Sequence, residues 1–96
     1  MLLNRETILK FLKEHKEMFQ SKYQIKKLGL FGSYAKGEEN HQSDIDILVD
    51  MPSSFDLYYD LKELLEEALN KSIDLGLEKS MRAFILDSIQ EEIIYV

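Results

Sequence analysis

The chain has no cysteine, one proline and four glycines among its 96 residues. Without cysteine there can be no disulfide and no thiolate metal site. No apolar run approaches the ~20 residues that span a bilayer. The start of the chain, where Asn4, Arg5 and Glu6 follow soon after Met1, lacks the long apolar core of a signal peptide. These absences lead to the expectation of a cytoplasmic protein with no membrane partner. Positive charge is also scarce: 12 Lys and Arg stand against 18 Asp and Glu, for a formal net charge of −6. Binding DNA or RNA unaided rests on clustered Lys and Arg, so no direct nucleic-acid binding is expected. The acidic balance suits a small-molecule or protein substrate better. Lys22, Lys26, Lys27 and Lys36 form a local basic group that reads first as a solvated edge. The chain also lacks linkers, repeats and low-complexity stretches. At this length the expectation is a single domain over residues 1–96, with a core small enough for a partner to help hold it together.

Hydrophobic periodicity supplies the elements. Ile8, Phe11, Leu12, Met18 and Phe19 are spaced for an amphipathic helix from Arg5 to about Phe19, with Asn4 as N-cap. Ile25 to Phe31 reads as a strand, Ser33 to Gly37 as a short turn or helical start, and Glu38 to Ser43 as a polar loop. Asp44 to Asp50 alternates, with Ile45, Ile47 and Val49 on one side and Asp44, Asp46, Leu48 and Asp50 on the other; Pro52 ends it. Ser53 and Asp56 fit a capping box for a helix whose stripe is Leu57, Tyr58, Leu61, Leu64, Leu65, Ala68 and Leu69. Ser72 to Leu77 is a third strand with Ile73, Leu75 and Leu77 inward and Asp74 on the other face. A helix from about Arg82 to Glu91 is expected to bury Phe84, Ile85 and Ile89, and Ile93 to Val96 to add a terminal strand. This order fits an α+β two-layer fold, a small mixed sheet with helices on one face and the other open around the aspartates.

The most informative stretch is Gly32-Ser33, ten further residues, and then Asp44-Ile45-Asp46. With residue frequencies of roughly 5–7% each, those four positions coincide by chance in about one chain of this length in a thousand, so the pattern counts as a signal. Gly32 and Ser33 offer a tight turn and backbone N–H groups to a triphosphate, helped by a helix start. Asp44 and Asp46, two residues apart in a strand, point the same way. Asp74 shares their parity on the next strand. If the two strands are neighbours the three carboxylates converge, a costly arrangement unless cations sit there, and Mg²⁺ takes such oxygen ligands together with substrate phosphates. Two metals could then activate an attacking oxygen and stabilise a leaving one. Any one of these aspartates read alone is a solvated residue; three at matched parity beside Gly-Ser reverse that reading. Asp50, at the strand end, stays with the solvated ones.

Other constellations fail. Gly32 and Gly37 have the spacing of a Walker loop's glycines, but Glu38 stands where its Lys is required, and no Gly-x-Gly-x-x-Gly exists. His15 and His41 have no ligand partner at metal spacing and read as structural or solvated. Tyr58 and Tyr59 read as the core and rim of their helix. Tyr34 is the one aromatic given a chance of touching a substrate.

Gly32-Ser33-Tyr34-Ala35-Lys36-Gly37, followed by Ser43-Asp44-Ile45-Asp46-Ile47-Leu48-Val49, resembles the minimal nucleotidyltransferases of the DNA polymerase β-like superfamily. The likeness covers nearly the whole chain and implies that superfamily's fold. It implies that Gly32 and Ser33 bind the triphosphate, and that Asp44 and Asp46 carry Mg²⁺. Asp74 would be the third metal-binding and catalytic carboxylate, assisting deprotonation of the acceptor. Lys36 stands where the family usually has Arg and would contribute charge to nucleotide binding without a bidentate fork. Members of this size are commonly antitoxins paired with an all-helical toxin of the HEPN family. Some of them transfer AMP from ATP to a tyrosine of that toxin. The resemblance therefore implies a Mg²⁺-dependent protein adenylyltransferase acting on a HEPN toxin. The alternatives are an antitoxin that neutralises by contact alone and a transferase for RNA or a small molecule.

Overall fold

The computed structural model describes residues 2–96. Its elements run α1 (Arg5–Glu14), α2 (Lys16–Tyr23), β1 (Lys27–Phe31), α3 (Gly32–Lys36), β2 (Ile45–Asp50), α4 (Phe55–Leu69), β3 (Ile73–Leu77), a 3₁₀ turn (Glu78–Ser80), α5 (Ala83–Ile89) and β4 (Ile94–Tyr95). Asn4 caps α1 as expected: its side chain accepts from the Thr7 N–H at 2.9 Å, and Thr7 Oγ1 accepts from the Asn4 N–H at 3.0 Å. The expected single helix to Phe19 is in fact two. His15 leaves helical geometry at φ −106°, ψ 12°, with its Nδ1 2.9 Å from the Phe11 carbonyl oxygen and its ring against that of Phe11. After this break α2 carries Phe19 and Tyr23 into the core. No Pro or Gly marks the break, so periodicity ran straight through it.

The sheet order is β3-β2-β1-β4. β1 pairs antiparallel with β2 and β4, whereas β2 and β3 are parallel, joined through the crossover helix α4. The sheet is mixed, as expected for this α+β class. One face carries Leu28, Leu30, Ile45, Ile47, Val49, Ile73 and Leu75, buried with Ile8, Leu12, Phe19, Tyr23, Leu61, Leu65 and Leu69 from α1, α2 and α4. The Tyr23 hydroxyl donates to Asp60 at 2.6 Å and ties α2 to α4.

Three local expectations are corrected. Ser54, not Ser53, caps α4, its hydroxyl accepting from the Leu57 N–H at 3.3 Å; Asp56 therefore sits one position too early for a capping box. Ala68 of the expected α4 stripe is exposed, because the helix seats its Leu61-Leu65-Leu69 line on the sheet. α5 buries nothing: Phe84 is 66% exposed and Ile85 40%. Its apolar spacing is helical, but only Ile89 of the expected three is even half-buried.

The opposite face of the sheet is not wholly open. Gly29, Leu48 and Gly76 lie side by side on β1, β2 and β3. A Cβ on Gly29 would come within 2.7 Å of Ile93 Cγ2, and one on Gly76 within 2.9 Å of Met81 Cε. Side chains from both ends of the α5 segment therefore press onto backbone that only glycine leaves bare, and Leu48 between them is 1% exposed. The part of this face left to solvent is the adjoining row, which carries the aspartates.

Candidate active site

β1 ends at Phe31 and the chain turns sharply into α3. Gly32 makes that turn at φ +76°, a conformation that suits glycine. Position 32 also has no room for a side chain: a Cβ there would overlap the Asp46 carboxylate, 2.8 Å from its Cγ. The Gly-Ser turn and the second motif aspartate are thus in contact although a polar loop separates them in sequence.

Strand register does the rest. Asp46 lies opposite Phe31 on β1 and opposite Asp74 on the parallel strand β3. The condition left open above is met: β3 neighbours β2, and Asp74 shares the face of Asp46. The Asp46 carboxyl is pushed up to about 6, first by burial, then by the charge of Asp74 and a hydrogen bond with it, and lastly by Asp44 and Glu92. Asp44 precedes β2 and is exposed. Among the described residues no three acidic or histidine side chains form a ready-made metal cage. What exists is a pair of carboxyls facing each other across adjacent strands, with a third carboxylate nearby. That donor set fits Mg²⁺, which dehydrates reluctantly and is usually held by one or two carboxylates plus substrate phosphates.

Folding raises the Asp46 pKa, so the native protein binds a proton more tightly than the unfolded chain. The resulting stability is complete below the ordinary carboxylate pKa and is lost as pH rises through about 6. Without divalent metal, the protein is expected to lose about 1 kcal/mol between pH 4.5 and 7.5 from this source, partial solvation having cut the effect, or roughly 4–8 °C in Tm. Thermal melts in EDTA, compared with Asp46→Asn, check this. Equal pH slopes for the two proteins would refute it.

The remaining expected residues are placed as follows. Ser33 opens α3 and is partly exposed, and its carbonyl accepts from the Glu38 N–H at 2.9 Å. Lys36 ends α3 but is not a free cation: its Nζ is 3.1 Å from Glu92 Oε2, and this pairing raises its pKa. Tyr34 does not face a substrate; it is 3% exposed within the core. His15 is structural and His41 lies exposed in the loop. Tyr58 borders the site, its hydroxyl donating to the Leu75 carbonyl at 2.6 Å and its pKa raised by burial, Tyr59 and Asp74. The residue that sequence reasoning missed is Glu92. Its Oε1 accepts from the Gly32 N–H at 3.4 Å. Glu92 follows a helix whose burial was misread, 46 residues beyond Asp46, and no local pattern links the two.

The candidate site is thus a glycine turn abutting paired carboxylates on adjacent strands, over a small mixed sheet, and the class comes from comparison with known proteins. The chain belongs to the nucleotidyltransferase domain family, whose profile matches residues 12–96, and it is an enzyme of that class. Among its relatives is the protein adenylyltransferase MntA of Thermococcus cleftensis, 34% identical over 97 residues that cover 99% of this chain and 98% of the relative. A Methanocaldococcus jannaschii chain, provisionally named a protein adenylyltransferase, is 42% identical over 94 residues, covering 93% of this chain and 94% of that one. A crystal structure of a toxin–antitoxin with AMP-PNP superposes with a TM-score of 0.70 at 25% identity, covering 97% of this chain and 72% of that one. A structure described as a minimal nucleotidyltransferase superposes with a TM-score of 0.82 at 23% identity, over 96% of this chain and 95% of that one, and speaks for the fold. Among the described residues no helix is long and apolar enough to cross a membrane.

Proposed function

We propose that this chain transfers AMP from ATP to a hydroxyl of a partner protein, a tyrosine of a HEPN-family toxin, and serves as that toxin's antitoxin. The observation that carries this reading is the Asp46–Asp74 pair placed by parallel register against the Gly32 turn. Adenylyltransferase relatives of nearly the same length support it, as does a related toxin–antitoxin structure with AMP-PNP. Gly32 and Ser33 would orient the triphosphate through backbone N–H groups. Asp44 and Asp46, with Asp74, would hold Mg²⁺, which when bound neutralises phosphate charge and makes the acceptor hydroxyl more acidic. The acceptor oxygen attacks the α-phosphorus, the bond from that phosphorus to the oxygen bridging to the β-phosphate breaks, and pyrophosphate leaves. Asp74 would take the hydroxyl proton. Positioning and charge compensation account for the rate.

The reading in which neutralisation occurs by contact alone draws on a different observation. Phe55 is 77% exposed and Phe84 66%, with Tyr59 and Ile85 also exposed, so apolar surface is available to a partner. Pull-down of the tagged protein from its native cells, followed by intact-mass analysis, separates the two. A co-purifying helical protein that carries one or more AMP masses with wild type, and none with the Asp44→Asn/Asp46→Asn variant, is the expected result. The same partner arriving unmodified with both proteins would leave contact alone. Nucleotide addition to RNA by the purified chain would replace both readings.

A further inference from the structure

Glu92 occupies the ground that the nucleotide site needs. Its two carboxylate oxygens are divided between two donors, Oε1 accepting from the Gly32 N–H at 3.4 Å and Oε2 pairing with Lys36 Nζ at 3.1 Å. One of these donors is backbone in the glycine turn and the other is the cation closing the same short helix. An anion bridging them does what a phosphate oxygen pair would do there. We infer that the Glu92 carboxylate is a built-in surrogate for the nucleotide's phosphates, which has to leave its two donors before a triphosphate can take them. This inference rests on the nucleotide-binding role of the Gly32 turn and Lys36 proposed above.

The surroundings make the exchange feasible. Glu92 lies between α5, which buries no residue, and Ile93, which is seated on Gly29. Its backbone N–H donates to Ile89 at 3.0 Å, and beyond it the Val96 N–H donates to Leu28 at 2.9 Å. The backbone is therefore tied to the end of α5 on one side and to β1 on the other, while among the described residues the side chain is held by the two donors. Rotation about its own χ angles frees both. The carboxylate is also one of the charges that disfavour ionised Asp46. A triphosphate arriving with Glu92 still in place would meet it as a like charge on shared donors, so nucleotide affinity is set by the difference between two anions competing for one pair of groups.

The test is calorimetric titration of ATP with Mg²⁺ into wild type, Glu92→Gln and Glu92→Ala, with AMP as a second ligand and Tm recorded for each protein. Glu92→Gln keeps the shape and removes the charge. It is expected to lower the Kd for ATP by about two- to fivefold, the scale of a half-exposed ion pair. The gain for AMP, which lacks the β- and γ-phosphates, is expected to be smaller. Unchanged or weaker ATP binding by folded Glu92→Gln, while wild type binds ATP, would overturn the surrogate role and leave the nucleotide site standing. A loss of kcat at saturating ATP with unchanged Kd would make Glu92 part of the chemistry and also overturn it. Absence of ATP binding in all three proteins would remove the nucleotide site itself, and this inference with it.

Discussion

Replacing Asp46 by Asn is expected to reduce AMP transfer by about 10²–10³-fold or more while leaving the fold intact and, near neutral pH without metal, somewhat more stable. The two effects come from one cause. Asp46 is the carboxyl whose ionised form is most opposed by its surroundings: partly buried, hydrogen-bonded to Asp74, and within the fields of Asp44 and Glu92. Under the proposed function, that opposition is what a bound divalent cation would relieve. Losing a ligand from such a centre forgoes several kcal/mol of transition-state stabilisation, each 1.36 kcal/mol being a tenfold change in rate. In the metal-free protein the same substitution removes a charge that folding disfavours. The check is a rate of label transfer from ATP to the partner, measured beside thermal melts of the free protein. Lost activity with lowered stability would indicate a structural residue. Retained activity would remove Asp46 from the catalytic set.

Gly32→Ala is expected to be the most damaging single-methyl change at the site, and its effect should exceed that of Gly37→Ala by a wide margin. Both glycines have positive φ, +76° and +73°, so both substitutions carry a left-handed backbone cost of about 1–2 kcal/mol. They differ in space. Around Gly37 no atom lies within 4 Å of an added Cβ, whereas at Gly32 the methyl would collide with the Asp46 carboxyl. Relief requires that Asp46 swing away from Asp74 or that the turn retreat from the site. A displacement of about 1 Å in a reacting group costs roughly 10²-fold, so Gly32→Ala should lose most activity and Gly37→Ala should keep it within a few-fold. Parallel assays of the two variants, normalised for folded fraction, decide the matter. Equal losses would mean that backbone strain alone governs this loop.

The legible part of this protein was the part written in periods of two. Alternation from Asp44 to Asp50 and from Ser72 to Leu77 assigned each side chain to a face, and the structure keeps those faces: Ile45, Ile47 and Val49 in the core, Asp46 and Asp74 outside it. What alternation does not contain is which strands are neighbours, so the pairing of β2 with β3 is a fact of tertiary structure alone. Errors gathered where tertiary contacts override local pattern. The helix break at His15 depends on a ring nitrogen meeting the Phe11 carbonyl. Tyr34 sits inside the nucleotide motif yet packs inward, because α3 turns that side of itself to the core. Phe84 and Ile85 have core-like spacing on a helix that leaves both exposed. Glu92 reaches the site only because Gly29 lets the chain just beyond it lie flat on the sheet.

The parallel pairing of β2 and β3 makes α4 a gauge block. Asp46 and Asp74 are brought opposite each other by a crossover of 15 helical residues and its two short joints. Side chains in a strand alternate faces, so a slip of one residue on β3 would carry Asp74 into the apolar core and turn Ile73 or Leu75 towards solvent. Within the helix, one added residue would rotate the Leu61-Leu65-Leu69 line by about 100° off the sheet. Length between Pro52 and Ile73 is therefore constrained by chemistry at its two ends, although no residue of the helix itself needs to touch a substrate. Variation in chain length is far easier to accommodate in the exposed stretch from Asn40 to Gln42, which joins the two halves of the motif without setting the register of either strand.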